Sequence, residues 1–430
     1  MNKYVIKAFW VVFLLCFFVA CKDEEEGPGL WKTNPLEEYT ATPINGGAII
    51  HYTIPDDPDL LYIMAEYERN GKLFTEKASV YKNSLKIEGF DTKEEVQVQL
   101  YKVNRQGQKS EASSLSFTPL KALIRIAEDS LKMEVTFGGV VASWANPEAT
   151  PLGTRLTYVD DNGDIQTKEL FYSTSKHEEH VFRGFEAVER KFGVSFEDKW
   201  GNVSDTTWLT GKPFFETQIP KPYTDFRSSI PYDNASNLDP NKYGFFHLWD
   251  NVVNTAFNGW LTSSGNDGLS ITIDMGQVVK LSRIVIHGYH VNSPYGQVNF
   301  TKWEGWGTKK IDFDKLSDPD YWLDEYSVRN NAFENIPNTY VLPEHTFEDD
   351  WQYLGFHSII RYDQMSPPDQ QGIANISQNG SEYLIPLDAE PVRYVRIFVR
   401  MVGNSMPPPA GNYFSMGEIT FYGDNTVPQE

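Results

Sequence analysis

The sequence predicts an all-β protein built as two tandem β-sandwiches followed by a larger C-terminal β-sandwich. Three observations carry the prediction. Beyond about residue 43, apolar and polar residues alternate in short runs, a period of two that sets one side of each run against a core, and helical periodicity is scarce. A set of Gly, Asn-Gly and Pro positions recurs once at an offset of ~92–95 residues, which is a domain-sized repeat. From about Tyr223 that pattern changes, and different strand motifs take over. The 430 residues suffice for about two to four domains, and 40% hydrophobic against 23% charged is ordinary for a globular chain.

The first element is a leader. Lys3 and Lys7 open a short apolar run, residues 5–20, that ends at Phe18-Val19-Ala20-Cys21. A basic start, a run too short for a comfortable membrane span and a small residue before the cut mark a removable signal. The last four residues read as a bacterial lipobox, with Phe18 where Leu is usual and Cys21 as the residue that takes the lipid. The competing reading is an uncleaved anchor helix. Directly behind Cys21 runs Lys22-Asp23-Glu24-Glu25-Glu26, and this arrangement resembles the export signal of Bacteroidetes-type surface lipoproteins. The resemblance implies that residues 1–20 are a signal peptide and residues 21–42 an acidic lipidated linker. It also implies a domain string tethered by lipid to the outer membrane, facing the cell exterior.

Composition narrows the partners. The formal net charge is −21, and it becomes more negative when Lys3 and Lys7 leave with the signal. A field of that sign repels phosphate backbones and argues against nucleic acid, whereas a neutral glycan is indifferent to it. The 27 Phe, 23 Tyr and 11 Trp favour strands, and any exposed rings offer flat faces to sugars. Cys16 lies in the leader and on the lipoprotein reading Cys21 would be acylated, so the mature chain would have no disulfide, no thiol nucleophile and no Cys-based zinc site.

The first sandwich, residues 43–120, starts with a strand over 48–54. Strands over 61–67 and 73–80 follow, joined across Asn70-Gly71, the preferred two-residue hairpin turn because both residues can take positive φ. The second sandwich, residues 121–220, repeats the layout. Gly46-Gly47 is echoed by Gly138-Gly139, Pro55 by Pro147, Asn70-Gly71 by Asn162-Gly163, Gly89-Phe90 by Gly184-Phe185, and Gly107 by Gly201. In the run 96–103, alternation puts Val96, Val98, Leu100 and Val103 on or near one buried face. That run, followed by a Gly turn and a Ser, resembles the penultimate strand and hairpin of fibronectin type III (Ig-like) domains. The resemblance implies spacers or interaction modules and carries no site.

The C-terminal unit, residues 223–430, holds four segments in order. The first is Leu248-Trp249-Asp250-Asn251 through Thr255 and Phe257. The second is the strand pair 269–276 and 281–286, the third Asp349-Asp350-Trp351-Gln352-Tyr353. The fourth joins Val392-Arg393-Tyr394-Val395-Arg396-Ile397-Phe398-Val399 to Gly417-Glu418-Ile419-Thr420-Phe421-Tyr422. Ile271, Ile273 and Met275 alternate with Thr272 and Asp274, and Val395, Ile397 and Val399 form another inward set, with Arg396 and Arg400 facing out. Together the segments resemble discoidin domains, the coagulation-factor type C family that includes the family 32 carbohydrate-binding modules. Asn251 and Phe257 stand where that family has Gly and Trp. The implied fold is a galactose-binding-type jelly roll with loops gathered at its ends. Residues 306–349 exceed the family norm and are Asp-rich and aromatic, as in Tyr321-Trp322-Leu323-Asp324-Glu325-Tyr326. Long loops on a rigid sandwich usually carry function.

Two site readings follow from that resemblance. It implies a structural calcium held by Asp250, Thr255 and Glu418 with backbone carbonyls, a set of hard oxygens that suits calcium. The competing reading is that Asp250 caps a turn and Glu418 pairs with an Arg. It also implies sugar contacts in the loop after residue 286. His290 and Asn292 would supply hydrogen bonds, and Tyr295, Trp260 and Trp322 would supply ring platforms. The competing reading for each ring is core packing, which is assigned here to Trp249, Trp303 and Trp351. A hydrolase is disfavoured. Asp160-Asp161 and Asp349-Asp350 are neighbours in sequence, whereas glycosidase carboxyls face each other across a substrate. The motifs of serine hydrolases, zinc proteases and phosphate loops are lacking.

The layout resembles accessory lipoproteins of Bacteroidetes glycan-utilisation systems. The expected role is non-catalytic capture of extracellular polysaccharide or oligosaccharide beside a surface glycan-import complex. The alternative is a protein-binding scaffold or adhesin in a surface complex. Burial of Trp260, Tyr295 and Trp322 would take the ring platforms away from the sugar reading.

Overall fold

Strand pairing begins at Tyr39 rather than near Pro43, because Leu36, Tyr39 and Ala41 still reach the first core. The computed structural model describes residues 34–233, 237–253, 258–262, 270–289, 294–296, 299–331, 333, 335–403 and 414–429. The chain is all-β in the sense expected, a series of antiparallel sandwiches.

In the first sandwich, Tyr39–Ile44, Gly47–Tyr52 and Ser84–Glu88 form one sheet. Lys72–Ser79, Leu60–Arg69, Val96–Asn104 and Ser113–Phe117 form the other. Asn70 and Gly71 take φ of 51° and 71°, the doubly left-handed turn that matches the twist of the flanking strands. Val96, Val98 and Leu100 are buried, as their alternation requires, and Val103 is buried too because burial becomes continuous from Lys102 to Asn104.

The second sandwich repeats the strand order. Lys132–Thr136, Gly139–Ala145 and His177–Arg183 face Ile165–Ser173, Leu152–Val159, Arg190–Asp198 and Thr207–Gly211. Gly46 and Gly138 both sit at φ 64°, so the repeated glycines mark one backbone turn used twice. The Asn162-Gly163 echo is looser. There Asp160 Oδ1 accepts from Asn162 N (2.9 Å) and Asp164 N (3.0 Å), which fixes a wider loop. The scarcity of helix has an exception here: Leu123–Ser130 is helical and drives Ile124 and Ala127 into the core beside Trp144.

In the C-terminal module the 18-residue strand Ser270–His287 serves two layers. Its first part pairs with Val392–Val402, from Ser270 opposite Phe398 to Asp274 opposite Tyr394. Beyond a register shift it pairs with Glu418–Asp424 and Ser381–Leu384. Phe300–Thr308 and Gln352–Ser358 extend the first layer. Ile271, Ile273, Met275, Val395, Ile397 and Val399 fill the space between the layers with Trp303 and Phe414. Trp303 and Trp351 are buried and Trp249 packs against the core, as read.

Two expectations change. Arg396 and Arg400 do leave the inner face, but they are 0% and 2% exposed. Short helical turns at Phe313–Ser317, Asp320–Trp322, Glu325–Arg329 and Phe347–Asp350 lie over them and build a second aromatic core from Tyr321, Trp322, Phe347, Tyr394 and Phe398. Buried guanidinium groups need acceptors: Arg396 faces Asp233 (3.3 Å), and Arg400 is met by one acid of the insertion and one of the strand Phe300–Thr308. Arg400 Nη2 donates to Glu304 (2.6 Å) and Asp324 (3.0 Å). The module also starts before residue 223. Thr217–Gln218 pairs with Glu418–Asp424, and Ile219 and Tyr223 are buried in its core. Glu216 receives Ser282 Oγ (2.6 Å) and Arg283, and Arg183 of the second sandwich donates to Glu382 (2.7 Å).

Candidate ligand-binding site

The three rings expected to face a sugar are buried. Trp260 is 0% exposed. Its Nε1 donates to Asn237 Oδ1 (2.7 Å), and Phe245 and Phe414 meet it edge-on with centroids 4.9 and 5.2 Å away. Trp322 donates to Lys315 O (2.9 Å) and lies in the aromatic layer above Arg396. Tyr295 donates its hydroxyl to Ile360 O (2.9 Å) and accepts from Tyr362 N (3.2 Å). Each ring has its polar atom paired within the protein and its faces covered, the arrangement of a core residue with a polar handle. None can stack on a sugar in this conformation. His290, Asn292, Thr255 and Cys21 lie outside the described residues.

Asp250 and Glu418 do come together at one end of the module, yet their oxygens are already engaged. Asp250 Oδ2 faces His247 Nδ1 (2.7 Å), and its Oδ1 accepts from Val252 N (2.9 Å). Glu418 is 0% exposed and receives the Lys221 ammonium, together with Asn251 N at 3.3 and 3.2 Å. Burial pushes the Glu418 carboxyl up to about 7, and the neighbouring Lys221 pulls the other way. An ammonium on the buried carboxylate takes the place a calcium would need, so Asp250 and Glu418 as placed do not fit the metal. Among the described residues, no three His, Cys, Asp or Glu side chains converge as a metal site.

A different surface of the same module is open. A cleft of about 550 Å³ is lined by Lys310, Asp312, Phe313, Asp314, Tyr321, Asp350 and Trp351. Phe313 is 61% exposed at the start of a short 3-10 turn whose cap is Asp312, which accepts from Asp314 N (3.0 Å). The buried floor is Tyr321 and Trp351. Tyr321 donates to Asp350 Oδ2 (2.8 Å), and His345 Nε2 meets the same oxygen at 2.9 Å. Burial first, and then Asp350, push the Tyr321 phenol above its usual range, so it stays a donor. Carboxylates around a ring face suit a polyhydroxylated ligand: the acids accept from hydroxyls and the ring covers C–H surface. In this insertion Trp322 is buried and Phe313 stands open. The better signal was Asp312-Phe313-Asp314, an aromatic between two acids outside any strand.

A second cleft, about 520 Å³, opens between the second sandwich and the module. Phe356, Leu384 and Leu387 are about half exposed there, opposite Val181 and Glu179. Asp160 and Asp349 hold local turns. Asp160 is held low by backbone hydrogen bonds of its turn, that from Asp164 first, and Asp349 completes the capping box of Phe347–Asp350.

Residues 249–423 match a family model described only as a domain of unknown function (DUF5000). Two other models, also domains of unknown function, match the stretches before it, DUF4959 at 33–119 and DUF5126 at 120–222. Among solved structures, SusE-like protein BT2857 is 20% identical, with 69% of this chain and 97% of that chain covered and a TM-score of 0.33. The two-domain fibronectin type III segment of chicken tenascin is 13% identical over 41% of this chain and 98% of its own, TM-score 0.21. The chicken interferon gamma receptor alpha chain is 10% identical over 42% and 98%, TM-score 0.19. No curated protein matches the sequence.

Proposed function

We propose that this chain is a non-catalytic cell-surface lipoprotein that captures extracellular polysaccharide on its C-terminal discoidin-like module, beside a glycan-import complex. The observation that carries the reading is the acid-and-ring cleft of the insertion, with Phe313 standing exposed between Asp312 and Asp314. The net charge of −21 suits a neutral glycan and disfavours polyanions. The discoidin-like reading of the module draws on the order of its motif segments and on the adjacent pairing of Ser270–His287, Val392–Val402 and Glu418–Asp424. The expected ring platforms do not support it, so the site moves from the loop after residue 286 to the insertion.

The test is a glycan array followed by titration of the folded full-length protein with the best polysaccharide. Binding that weakens in Phe313→Ala and Asp314→Asn supports the reading. A folded protein that binds no polysaccharide overturns it, and release of reducing sugar would revive a hydrolase. Lipid attachment has its own test. A labelled fatty acid should enter the native chain and not Cys21→Ser.

A protein-docking role is the second reading. It is favoured by Phe356, Leu384 and Leu387, whose apolar side chains stand about half exposed in the interdomain cleft. Replacing Phe356 and Leu387 with Ser should then abolish association with a surface complex while leaving glycan binding intact.

A further inference from the structure

Glu418 is buried at one end of the C-terminal module, opposite His287 in the sheet register. A carboxylate there needs a cation. The cation arrives from the segment that joins the second sandwich to the module: the Lys221 side chain, 7% exposed, places its ammonium on Glu418. The same Nζ lies 3.3 Å from Asn251 Oδ1. Asn251 adopts φ 64°, the left-handed region where Asn is tolerated and Gly is usual. Asn at this position keeps the backbone turn and adds an acceptor that Gly lacks. Its own N–H closes the arrangement on both Glu418 oxygens, at 3.3 and 3.2 Å. Asp250 is held by His247 Nδ1 (2.7 Å) and Asn258 Nδ2 (3.2 Å). Lys221 and Asn251 therefore act together around one buried carboxylate.

We infer that this loop is a cation site whose occupant is the chain's own Lys221 ammonium, and that the module folds without calcium. An ammonium offers three donors, and Glu418 and Asn251 Oδ1 take two of them. Calcium would need six to eight oxygens at short range and would have to displace a covalently tethered ion. The inference is independent of the glycan reading, since it concerns how the loop is held and not what binds to it.

The experiment is thermal unfolding of the full-length protein in millimolar calcium and in excess chelator, with calcium titration calorimetry alongside. The native protein should unfold at the same temperature in both and give no stoichiometric heat. Lys221→Met should lower the transition of the module by about 10 °C, because it strands a buried carboxylate. Lys221→Met combined with Glu418→Gln should recover much of that loss. A calcium-dependent rise of more than about 3 °C in the native protein overturns the inference, as does stoichiometric calcium binding. A Lys221→Met variant as stable as the native chain overturns it too. If Lys221→Met does not fold, Lys221→Arg and the calcium titration of the native protein decide the matter.

Discussion

If the proposed glycan site is right, replacing Phe313 with Ala separates ligand binding from folding in a way the structure makes quantitative. A Phe side chain offers roughly 200 Å² of surface. With 61% of Phe313 exposed, about 120 Å² remains open to solvent, and a sugar stacked on one face would cover about half of that. At about 25 cal/mol per Å², covering ~60 Å² is worth ~1.5 kcal/mol, or about tenfold in Kd. The buried remainder, ~80 Å², sets an upper limit of ~2 kcal/mol on what the same truncation costs the fold, and partial burial in the unfolded chain lowers it further. Titration calorimetry with the polysaccharide should show the tenfold loss in Phe313→Ala and retained affinity in Phe313→Tyr. Calorimetric unfolding should show a shift of only a few degrees for either. An unchanged affinity in a folded Phe313→Ala protein refutes the placement of the ligand. Loss of affinity in step with global unfolding refutes the separation.

Trp260→Ala behaves in the opposite way: truncating a 0% exposed indole should cost about 3–5 kcal/mol, read as a lowered midpoint in denaturant. Arg400→Met strands Glu304 and Asp324 beneath the insertion and should cost about 3–5 kcal/mol, with recovery in the Arg400→Met, Asp324→Asn double variant. Glu348 gives a pH signature. Burial first, then the Asp324 charge, raise its carboxyl from 4.5 to about 7 in the folded chain. The folded state therefore keeps a proton that the unfolded chain releases, and that stabilisation, full below about 4.5, is lost as pH rises towards 7. Urea titrations at several pH values should find Glu348→Gln gaining on the native protein by about 1–2 kcal/mol between those limits and level beyond, since solvent screens the partly exposed carboxyl. A pH-independent difference would contradict the burial of that carboxyl.

The tandem sandwiches were legible because their signals are local. A strand's two-residue period and the positive φ of Asn70, Gly71, Gly46 and Gly138 are properties of short segments, and each can be read without knowing its neighbours. The C-terminal sheets were legible for the same reason. The insertion was not. Alternation tells which residues leave the inner face, so Arg396 and Arg400 read as outward, but it does not tell what lies on top of them. Trp260 and Trp322 were misjudged on similar grounds: a loop ring and a core ring have the same composition, and only packing tells them apart. The meeting of Lys221 with Glu418 spans 197 positions and has no local signature. Asn251 in place of Gly was visible, and its meaning depended on that distant partner.

The strand that leaves the second sandwich is woven into the last sheet through Thr217–Gln218, and Glu216 is clasped by Ser282 and Arg283. A load passed between the two units is thus borne by edge hydrogen bonds and ion pairs as well as by the covalent chain.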